Sequence, residues 1–388
     1  MTGRAYLDWN ATAPPHASTL AAMNEAAQSA WGNPSSVHAE GRAARKWVER
    51  AREAIATLTG KDVRDVILTS SGTEANNIAI TSAMQSPTRR SVGAGPGKLL
   101  VSRIEHPSVT RVAERYEREG RVRWLRALPS GAIDLDDLEA ALSQETVAAL
   151  ALVAVTAEMG IVQPLEAAMT LARARGVWVH VDAVQAYGRV EHAALLARGA
   201  DSVSLAGHKL RGPKGIGALA TAPHTHIVPV LVGGAQERGL RPGTVDPIAC
   251  AGLFAACNRA DESARAYASK AVLRDTLESA LERFGAVRNG TPDARTERAP
   301  HVTSLAFAKF SGPELVAALD LEGVAVSAGP ACSAGTMEPS SALTMLYGED
   351  RARHTVRVSL GEDTTAADID FALAMFERVL TREVSPRS

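Results

Sequence analysis

Residues 147–155, VAALALVAV, indicate the class of fold to which this chain belongs. A continuous apolar run of this length, rich in valine and leucine, is typical of a strand whose two faces are both buried. A helical pattern over residues 164–175 follows and ends at Gly176, and a second apolar run occupies residues 177–182. Because a strand, a helix and a strand in this order form a parallel βαβ unit, the sequence predicts an α/β protein with a mostly parallel sheet.

The same alternation of strands and helices occupies the first two thirds of the chain. Strands are predicted at 66–69, 99–102 and 121–125, and helices at 39–59, 73–84 and 108–119. After about residue 258 the pattern changes to one long charged helix predicted at 261–284, short strands at 302–307 and 324–327, and a final helix at 366–381. The change predicts a smaller α+β domain at the C-terminus.

Composition and charge exclude several classes of function. Of 388 residues, 46% are hydrophobic and 22% are charged, as in an ordinary globular protein. The net charge of −1 and the dispersed basic residues argue against nucleic acid or a membrane surface as the main partner. The N-terminus has no signal-like apolar stretch, and no segment reaches the roughly 18 apolar residues of a membrane span. The sequence therefore predicts a cytoplasmic protein.

The three cysteines do not form a pattern typical of a disulfide framework or a zinc site, so no metal site is predicted. Cys250 and Cys257 lie in an alanine-rich helical stretch and are predicted to be buried core thiols. Cys332 lies instead in residues 327–340, a segment rich in alanine, glycine, serine and proline. Such a segment has little to bury and can move, which suits a reactive thiolate.

A lysine and an aspartate in this sequence have the setting of a cofactor site. Lys209 ends the motif SLAGHK at 204–209, and Asp182 ends the apolar run at 177–182. Pyridoxal phosphate needs a lysine amine to attach covalently to its aldehyde and a carboxylate to keep its pyridine nitrogen protonated. We therefore predict a pyridoxal phosphate site at these two residues.

Other candidate residues follow predicted strands in the same way. They are Gly72, Thr73, His106, Glu158 and Gln185. Ligands of open α/β sheets gather beyond the carboxyl ends of the strands, so we expect these residues to lie close together. Gly72 and Thr73 also open a helix, whose free backbone N–H groups and dipole attract a phosphate group.

Short motifs run from one end of the chain to the other. In chain order they are YLD at 6–8, NAT at 10–12, GNPSSVH at 32–38, TSSGTEANN at 69–77, EH at 105–106, HVDAVQ at 180–185, GHK at 207–209, GPKGIG at 212–217, ER at 237–238, RPGT at 241–244, AC at 331–332 and RVSLG at 357–361. Together they resemble the cysteine desulfurases, the pyridoxal phosphate enzymes of the class V aminotransferase superfamily that supply sulfur for iron–sulfur clusters and thiocofactors.

The resemblance implies fold type I of the pyridoxal phosphate-dependent transferases. In that fold a large domain, here residues 13–258, has a mostly parallel sheet covered by helices. A smaller α+β domain, here residues 1–12 and 259–388, carries the cysteine segment. The first dozen residues are assigned to the smaller domain from the resemblance.

The resemblance also implies a role for each cofactor-binding residue. Lys209 would hold the cofactor and, once displaced by substrate, move the Cα proton, and Asp182 would bind the ring nitrogen. Gln185 would bind the phenolic oxygen. His106 would stack on the ring and shuttle protons.

The phosphate group would be bound by Gly72, Thr73 and His208 of the same chain. Thr244 resembles the family threonine that reaches the phosphate of the neighbouring subunit, so a homodimer is implied.

The substrate implied by the resemblance is L-cysteine, with L-alanine as the product. The Cys332 thiolate would take the substrate sulfur as a persulfide and deliver it to an acceptor or scaffold protein. Arg357 would bind the substrate carboxylate with its bidentate guanidinium, and Asn33 would also contact the substrate.

The sequence departs from the family pattern at two single positions and at one pair of residues. Ala157 replaces an asparagine that normally binds the phenolic oxygen, and Ala206 replaces a serine that normally binds the phosphate. Each lost hydrogen bond is expected to cost about 0.5–3 kcal/mol, so weaker cofactor retention or altered kinetics is predicted. The acidic pair Glu362-Asp363 replaces a basic and an aromatic residue, for which the sequence offers no reason.

Two other functions remain open at the level of the sequence. One is a different pyridoxal phosphate activity on the same scaffold, such as a selenocysteine lyase, an aminotransferase or an epimerase. Chemistry at the amino group alone does not need Cys332, but the choice between cysteine and selenocysteine stays open. The other is a binding subunit that has lost catalysis, and the retention of Lys209, Asp182, Cys332 and Arg357 argues against it.

Overall fold

The structure is a computed structural model that describes residues 3–86, 96–191, 193, 197–223, 225–291, 297–329 and 339–381. Its main sheet has seven strands, which are β2 (Val66–Thr69), β3 (Lys98–Ser102), β4 (Val122–Leu125), β5 (Val147–Val153), β7 (Trp178–Asp182), β8 (Ser202–Ala206) and β9 (Gly217–Thr221). Their spatial order is β2-β9-β8-β7-β5-β3-β4. Among these strands the pairs are parallel, except that β9 runs antiparallel to β2 and β8. The predicted α/β class with a mostly parallel sheet is confirmed.

Helices cover both faces of this sheet. They include α1 (Ala17–Ser29), α2 (Ala39–Thr59), α3 (Gly72–Gln85), α4 (Pro107–Glu117), α5 (Leu135–Gln144), α6 (Leu165–Arg173) and α7 (Pro247–Asn258). Successive residues of β5 enter different apolar clusters, Ala149 on one face and Leu150 on the other. Since both faces are buried, the strand has no polar alternation, which explains the uninterrupted apolar run in the sequence.

The C-terminal third contains shorter strands and the remaining helices. The strands are β10 (Val287–Arg288), β12 (Val302–Ala306) and β14 (Thr355–Ser359), which form an antiparallel sheet in the order β10-β12-β14. β1 (Ala5–Tyr6) pairs in parallel with β13 (Val324–Ala325), and β6 (Ile161–Val162) pairs antiparallel with β11 (Glu297–Arg298). The helices are α8 (Ala260–Ala268), α9 (Lys270–Glu282), α10 (Gly312–Leu321), α11 (Ser341–Tyr347), α12 (Glu349–Arg353) and α13 (Ala366–Leu380).

The first residues of the chain pack against this C-terminal third. Ala5 and Leu7 belong to the same apolar cluster as Leu305, Val356 and Phe376. The cluster is separate from the two that cover the main sheet. The N-terminal strand therefore contributes to the core of the C-terminal region.

The single helix predicted at 261–284 is wrong. The structure divides it into α8 and α9, which meet at Ser269. The Ser269 hydroxyl donates a hydrogen bond to the Ala266 carbonyl at 2.7 Å, and serine bonds of this kind compete with the helical ladder. The strand predicted at 324–327 is also shorter than expected, because only Val324 and Ala325 pair with β1.

The two cysteines of α7 are buried, as predicted. Burial raises the pKa of the Cys257 thiol to about 12, and it raises that of Cys250 as well. Both thiols therefore stay protonated and unreactive near neutral pH. None of the helices in the described ranges is long and apolar enough to cross a membrane.

Candidate active site

A cavity of about 360 Å³ lies where β2, β3, β5, β7 and β8 end at the same edge of the sheet. The candidate residues from the sequence that line it are Gly72, Thr73, His106, Glu158, Asp182, Gln185, His208 and Lys209. They are brought together because parallel strands place their carboxyl ends side by side. Their roles in catalysis stay predictions.

Lys209 ends a short 3-10 turn, Gly207–Lys209, that follows β8. Its Nζ donates hydrogen bonds to the Asn10 carbonyl and, at 2.8 Å, to the Ala11 carbonyl. A Cβ at Gly207 would lie 2.9 Å from the Pro213 carbonyl, so the turn needs glycine at that position. The turn and the N-terminal segment together hold the lysine amine at the cavity.

Asp182, which ends β7, presents a nearly buried carboxylate, with the residue 4% exposed. Its Oδ1 accepts from the Val184 backbone N–H at 3.0 Å, and its Oδ2 accepts from Asn76 Nδ2 at 2.7 Å. A carboxylate offers about four acceptor positions, so these two bonds leave capacity for a further N–H donor. The protonated ring nitrogen of pyridoxal phosphate is a donor of this kind.

His106 is the N-cap residue of α4 and is followed by Pro107 at the first helical position. Its Nδ1 lies 2.7 Å from Ser108 Oγ and accepts from the Ser108 backbone N–H at 3.1 Å. These contacts define the position of the imidazole at the wall of the cavity. A flat ring in this position fits the predicted stacking against a cofactor ring.

The start of α3 forms the end of the cavity suited to a phosphate. A Cβ at Gly72 would lie 2.7 Å from Val184 Cγ2, so only glycine allows the helix to start this close to β7. The same Cβ position is 3.5 Å from the Ala206 Cβ, so residue 206 borders the helix N-terminus. Backbone N–H groups at such a terminus bind anions.

His208 lines the cavity near the same end, with its Nδ1 3.2 Å from Thr12 Oγ1. Burial, together with the nearby positive charges of Lys209 and Arg189, lowers the pKa of His208 to about 3. The imidazole is therefore neutral at neutral pH. It can donate one hydrogen bond to a phosphate oxygen but carries no charge there.

Gln185 belongs to a hydrogen-bonded group that includes Arg189, a residue that sequence reasoning did not select. Arg189 is fully buried, and its Nη1 donates to Gln185 Oε1 at 2.9 Å and to Asn10 Oδ1. Gln185 Nε2 donates to the Asn10 carbonyl at 3.1 Å. In the sequence, Arg189 could have been selected because it follows Gln185 by four residues. Side chains about one helical turn apart lie on the same side and can contact each other.

Three predicted site residues in the described part of the chain are not part of the cavity lining. Asn33 and Thr244 are exposed, and Asn33 Oδ1 accepts from the Ser35 backbone N–H at 2.9 Å. Arg357 is buried in β14, where its Nη2 donates to Asp8 Oδ1 at 2.7 Å. Cys332 lies outside the described residues.

Two buried glutamates adjoin the cavity. Burial raises the pKa of Glu105 well above its usual range, although the Val153 backbone N–H donates to its Oε1 at 2.9 Å. Burial also raises the pKa of Glu158, against the opposing effect of a 2.8 Å hydrogen bond from Ser340 Oγ. Because Ser340 ends the predicted cysteine segment, this bond ties that end of the segment to the cavity wall.

Two of the departures from the family pattern lie at the cavity. Ala157 and Ala206 line it, and the Ala157 carbonyl accepts from Asn10 Nδ2 at 2.9 Å. Neither alanine side chain can supply the hydrogen bond of the residue that it replaces.

The acidic pair that follows Gly361 forms ion pairs with the segment just after Lys209. Glu362 Oε1 accepts from Arg211 Nη1 and, at 3.3 Å, from Arg259 Nη1. Asp363 Oδ2 lies 2.7 Å from Arg211 Nη2. The acidic pair is thus the counter-charge of two arginines.

The sequence model of the aminotransferase class-V family matches residues 5–371. The putative cysteine desulfurase IscS 1 of Bacillus subtilis (strain 168) is 35% identical over 98% of this chain and 99% of its own length. The mitochondrial cysteine desulfurase of Drosophila melanogaster is 36% identical over 98% of this chain and 82% of its own length. The X-ray structure of a NifS-like protein from Rickettsia africae ESF-5 matches with a TM-score of 0.84 and 27% identity over 97% of this chain and 99% of that one.

These likenesses extend over nearly the whole chain and include both sequence and three-dimensional fold. They confirm the predicted resemblance to cysteine desulfurases, the predicted fold type and the predicted class of enzyme. The family assignment follows directly from the match to its sequence model. The chain belongs to the aminotransferase class-V family.

Proposed function

We propose that this chain is a cysteine desulfurase that binds pyridoxal phosphate in the cavity next to Lys209 and converts L-cysteine to L-alanine. The observation that carries the proposal is the meeting of a lysine amine, a buried carboxylate, an imidazole and a helix N-terminus around one cavity. The residues present fit the cofactor, because Asp182 has free acceptor capacity and the first residues of α3, Gly72 and Thr73, border the cavity where a helix N-terminus can bind an anion. When bound, pyridoxal phosphate withdraws electron density from the substrate Cα.

The chain's own residues would supply binding and proton transfer. Lys209 would hold the cofactor and, after substrate has displaced it, its amine would take the Cα proton. Asp182 would keep the ring nitrogen protonated, and Gln185 would contact the phenolic oxygen beside it. His106 would cover the ring and help to move protons.

Cys332 would be the acceptor of sulfur. Its thiolate attacks the substrate sulfur, a new S–S bond forms and the substrate Cβ–S bond breaks. The carbon keeps the electron pair and takes up a proton, so the products are alanine and a persulfide on Cys332. An acceptor protein of iron–sulfur cluster or thiocofactor assembly would then receive the sulfur, and a cytoplasmic location is proposed for this reaction.

Arg357 would bind the substrate carboxylate. Its Nη2 already bonds the Asp8 carboxylate, which shows that the guanidinium accepts an anionic partner in this position. Its Nε is buried, with no hydrogen-bond partner among the described residues. An arginine offers five N–H donors, so a second carboxylate can share the group with Asp8.

Two regions of the chain would act as domains around this site. We propose residues 13–258 as the large domain and residues 1–12 with 259–388 as the small one, with the separate apolar clusters as support. The hydrogen bonds of Lys209 to Asn10 and Ala11 link the cavity to the N-terminal segment. Substrate would bind where the two regions meet.

A homodimer is part of the proposal, because Asn33 and Thr244 lie on the outside of the chain. The segments around them also border one depression, lined by Ser35 and Gln236 among others. Large apolar side chains near Asn33 and Thr244 in the sequence are exposed, with Val37 83% exposed and Val232 fully exposed. An exposed apolar surface of this kind is typical of an interface, and a partner subunit would cover it.

The proposed activity is tested by anaerobic incubation of the protein, supplied with pyridoxal phosphate and a reductant, with L-cysteine. We expect equal amounts of alanine and sulfide from the wild type and almost none from Cys332→Ala. Cys257→Ala is the matched control, because Cys257 is buried and its protonated thiol has no role in the reaction. No alanine from the wild type would reject L-cysteine as substrate, and L-selenocysteine and then amino-group transfer would be assayed next.

The two alanines in the cavity predict that cofactor retention can be improved. Ala206→Ser would place a hydroxyl at the start of α3, and Ala157→Asn would place an amide at the cavity wall. Since a hydrogen bond is worth about 0.5–3 kcal/mol, each substitution is expected to lower the dissociation constant for pyridoxal phosphate by about two- to a hundredfold. Equilibrium titration of the cofactor absorption measures this effect.

The control for this titration is Ala222→Ser, which adds the same hydroxyl at the opposite edge of the sheet. It should leave cofactor affinity unchanged. If Ala206→Ser and Ala157→Asn both leave the affinity for pyridoxal phosphate unchanged, and the wild type retains the cofactor tightly, then the alanines at these two positions do not weaken cofactor binding.

A further inference from the structure

A network of buried hydrogen bonds starts at Asp182 and leads away from the cavity, and the proposed chemistry gives it no role. Its centre is Asn76 of α3, which is 0% exposed. Its other members are Trp178, His180, Ser202 and Ser204, together with Ser108 on the side of His106. This hydrogen-bond network therefore joins two of the proposed cofactor-binding residues, Asp182 and His106, through the side-chain amide of Asn76.

The orientation of the Asn76 amide follows from its contact with Asp182. A carboxylate can only accept hydrogen bonds, so the Asn76 atom 2.7 Å from Asp182 Oδ2 must be Nδ2, the NH₂ nitrogen of the amide. The other N–H of the same amine donates to Ser108 Oγ at 2.8 Å. Asn76 Oδ1 then faces the opposite way, where it accepts from Ser204 Oγ and from His180 Nε2 at 2.9 Å.

This orientation determines the proton positions on His180. Burial lowers the pKa of His180 to about 4, against the opposing charge of Asp182, so the ring is neutral near neutral pH. Because Nε2 faces the Asn76 oxygen, the single ring proton must be on Nε2. Nδ1 is then the acceptor for the Ser202 hydroxyl at 3.0 Å, and that hydroxyl accepts from the Trp178 indole N–H at 3.2 Å.

The hydrogen bonds that lead from Asn76 through Ser108 to His106 also have defined donors and acceptors. Ser108 Oγ accepts from Asn76, so its own proton is available for His106 Nδ1 at 2.7 Å. The Ser108 backbone N–H donates to the same nitrogen. His106 is thus held through its Nδ1, and its ring proton lies on Nε2.

We propose that Asn76 is a positioning residue for the desulfurase reaction, which orients the Asp182 carboxylate toward the cofactor nitrogen and supports His106 through Ser108. The proposal rests on the proposed function, since Asp182 matters to catalysis only if pyridoxal phosphate binds there. Ser204 and His180 donate to the Asn76 oxygen, and Ser202 holds His180 in place, so the amide NH₂ group cannot turn away from Asp182. Asn76 acts through Asp182 and Ser108, not on the substrate.

The test compares Asn76→Ala and the nearly isosteric Asn76→Asp with Asn77→Ala. Asn77 is the neighbouring residue on α3, but its Nδ2 donates to the Thr73 carbonyl, outside this hydrogen-bond network. Both Asn76 variants are expected to lower kcat for L-cysteine by about 10- to 100-fold, the range for a lost hydrogen bond to a charged group, with KM changed less than about threefold. Asn77→Ala should keep wild-type kcat.

The spectroscopic readout is the ¹⁵N shift of the ring nitrogen in bound, ¹⁵N-labelled pyridoxal phosphate. We expect a protonated nitrogen in the wild type and in Asn77→Ala, and loss of protonation in Asn76→Ala. A merely structural role of Asn76 would lower stability without changing this shift. An unchanged shift and kcat in both Asn76 variants would overturn the positioning role while leaving the desulfurase proposal intact.

A second readout does not depend on the cofactor and is made on the wild-type protein. In the full chain labelled with ¹⁵N-histidine, His180 should be neutral with its proton on Nε2 at pH 7, and His180→Gln identifies its signals. A single ring proton on Nδ1 would mean that the Asn76 amide faces the other way and would overturn the proposal. Failure of the wild type to bind pyridoxal phosphate at all would instead reject the proposed function.

Discussion

Lys209→Ala is expected to lower the rate of alanine formation from L-cysteine by at least about 10³-fold, because one side chain supplies both cofactor attachment and the general base. The Lys209 amine is held by the carbonyls of Asn10 and Ala11 at the cavity wall, and an alanine at this position supplies no amine there. Alanine is quantified under the same anaerobic conditions as for the wild type. Borohydride treatment followed by peptide mass mapping should place the cofactor on the Lys209 peptide of the wild type.

The matched control is Lys214→Ala, which removes an exposed lysine from the same loop. It should keep wild-type activity and the labelled Lys209 peptide. Substantial alanine formation by a folded Lys209→Ala protein would contradict the assignment of the cofactor lysine. Circular dichroism and thermal unfolding show whether the variant has folded.

Glu362→Ala is expected to lower the free energy of unfolding by about 1–3 kcal/mol, because Arg211 and Arg259 lose the buried carboxylate that they share and keep only the exposed carboxylates of Asp363 and Glu262. The Glu362 side chain is 4% exposed and pairs with both Arg211 and Arg259. Urea denaturation at pH 7 measures the change. Asp363→Ala is the matched control, since the Asp363 side chain is 61% exposed and an exposed pair contributes only about 1 kcal/mol or less.

The same ion pairs predict a loss of stability in acid. Burial raises the pKa of Glu362, but hydrogen bonds from Arg211 and Ser263 outweigh it and hold the pKa below the ordinary value of 4.5. The unfolded chain therefore binds the proton more readily, so this contribution is fully present above pH 4.5 and is lost as the pH falls through the folded-state pKa. Glu362→Gln should lack this part of the acid dependence, and an identical pH profile for the two proteins would contradict the assignment.

The ion pairs of Glu362 also give a reason for the acidic pair Glu362-Asp363, a departure from the family pattern that the sequence alone did not explain. Arg211 has a φ of 61° and lies two residues after Lys209, where its Nε donates to the Pro14 carbonyl at 3.1 Å. Its partner Glu362 is 151 residues away in the chain. No local pattern links two such positions, and only the folded structure shows that the acidic residue compensates the arginine.

Local patterns were sufficient for much of the fold. The apolar run at 147–155 and the helical pattern after it predicted a parallel sheet, because burial on both faces removes polar alternation. The division at Ser269 was not predictable in this way, since the charged pattern of α8 and α9 continues across it and Ser269 itself has helical backbone angles, with φ −66° and ψ −15°. The hydrogen-bond partners of Asn76 could not be predicted from the sequence either, although Asn76 and His180 both lie in recognised motifs.

By itself the sequence determined the class of fold, the family and the residues that gather at the carboxyl edge of the sheet. Apolar periodicity and short motifs are local properties of the sequence. Because ligands of parallel sheets bind beyond the carboxyl ends of the strands, these local properties also predict where the site lies in the fold. Only the tertiary structure decided which side chains hold the site residues, such as Asn76 behind Asp182 and Glu362 beside Arg211. The physical reason is that these hydrogen bonds and ion pairs join segments far apart in sequence, whose proximity depends on the order of the strands and the packing of the two regions.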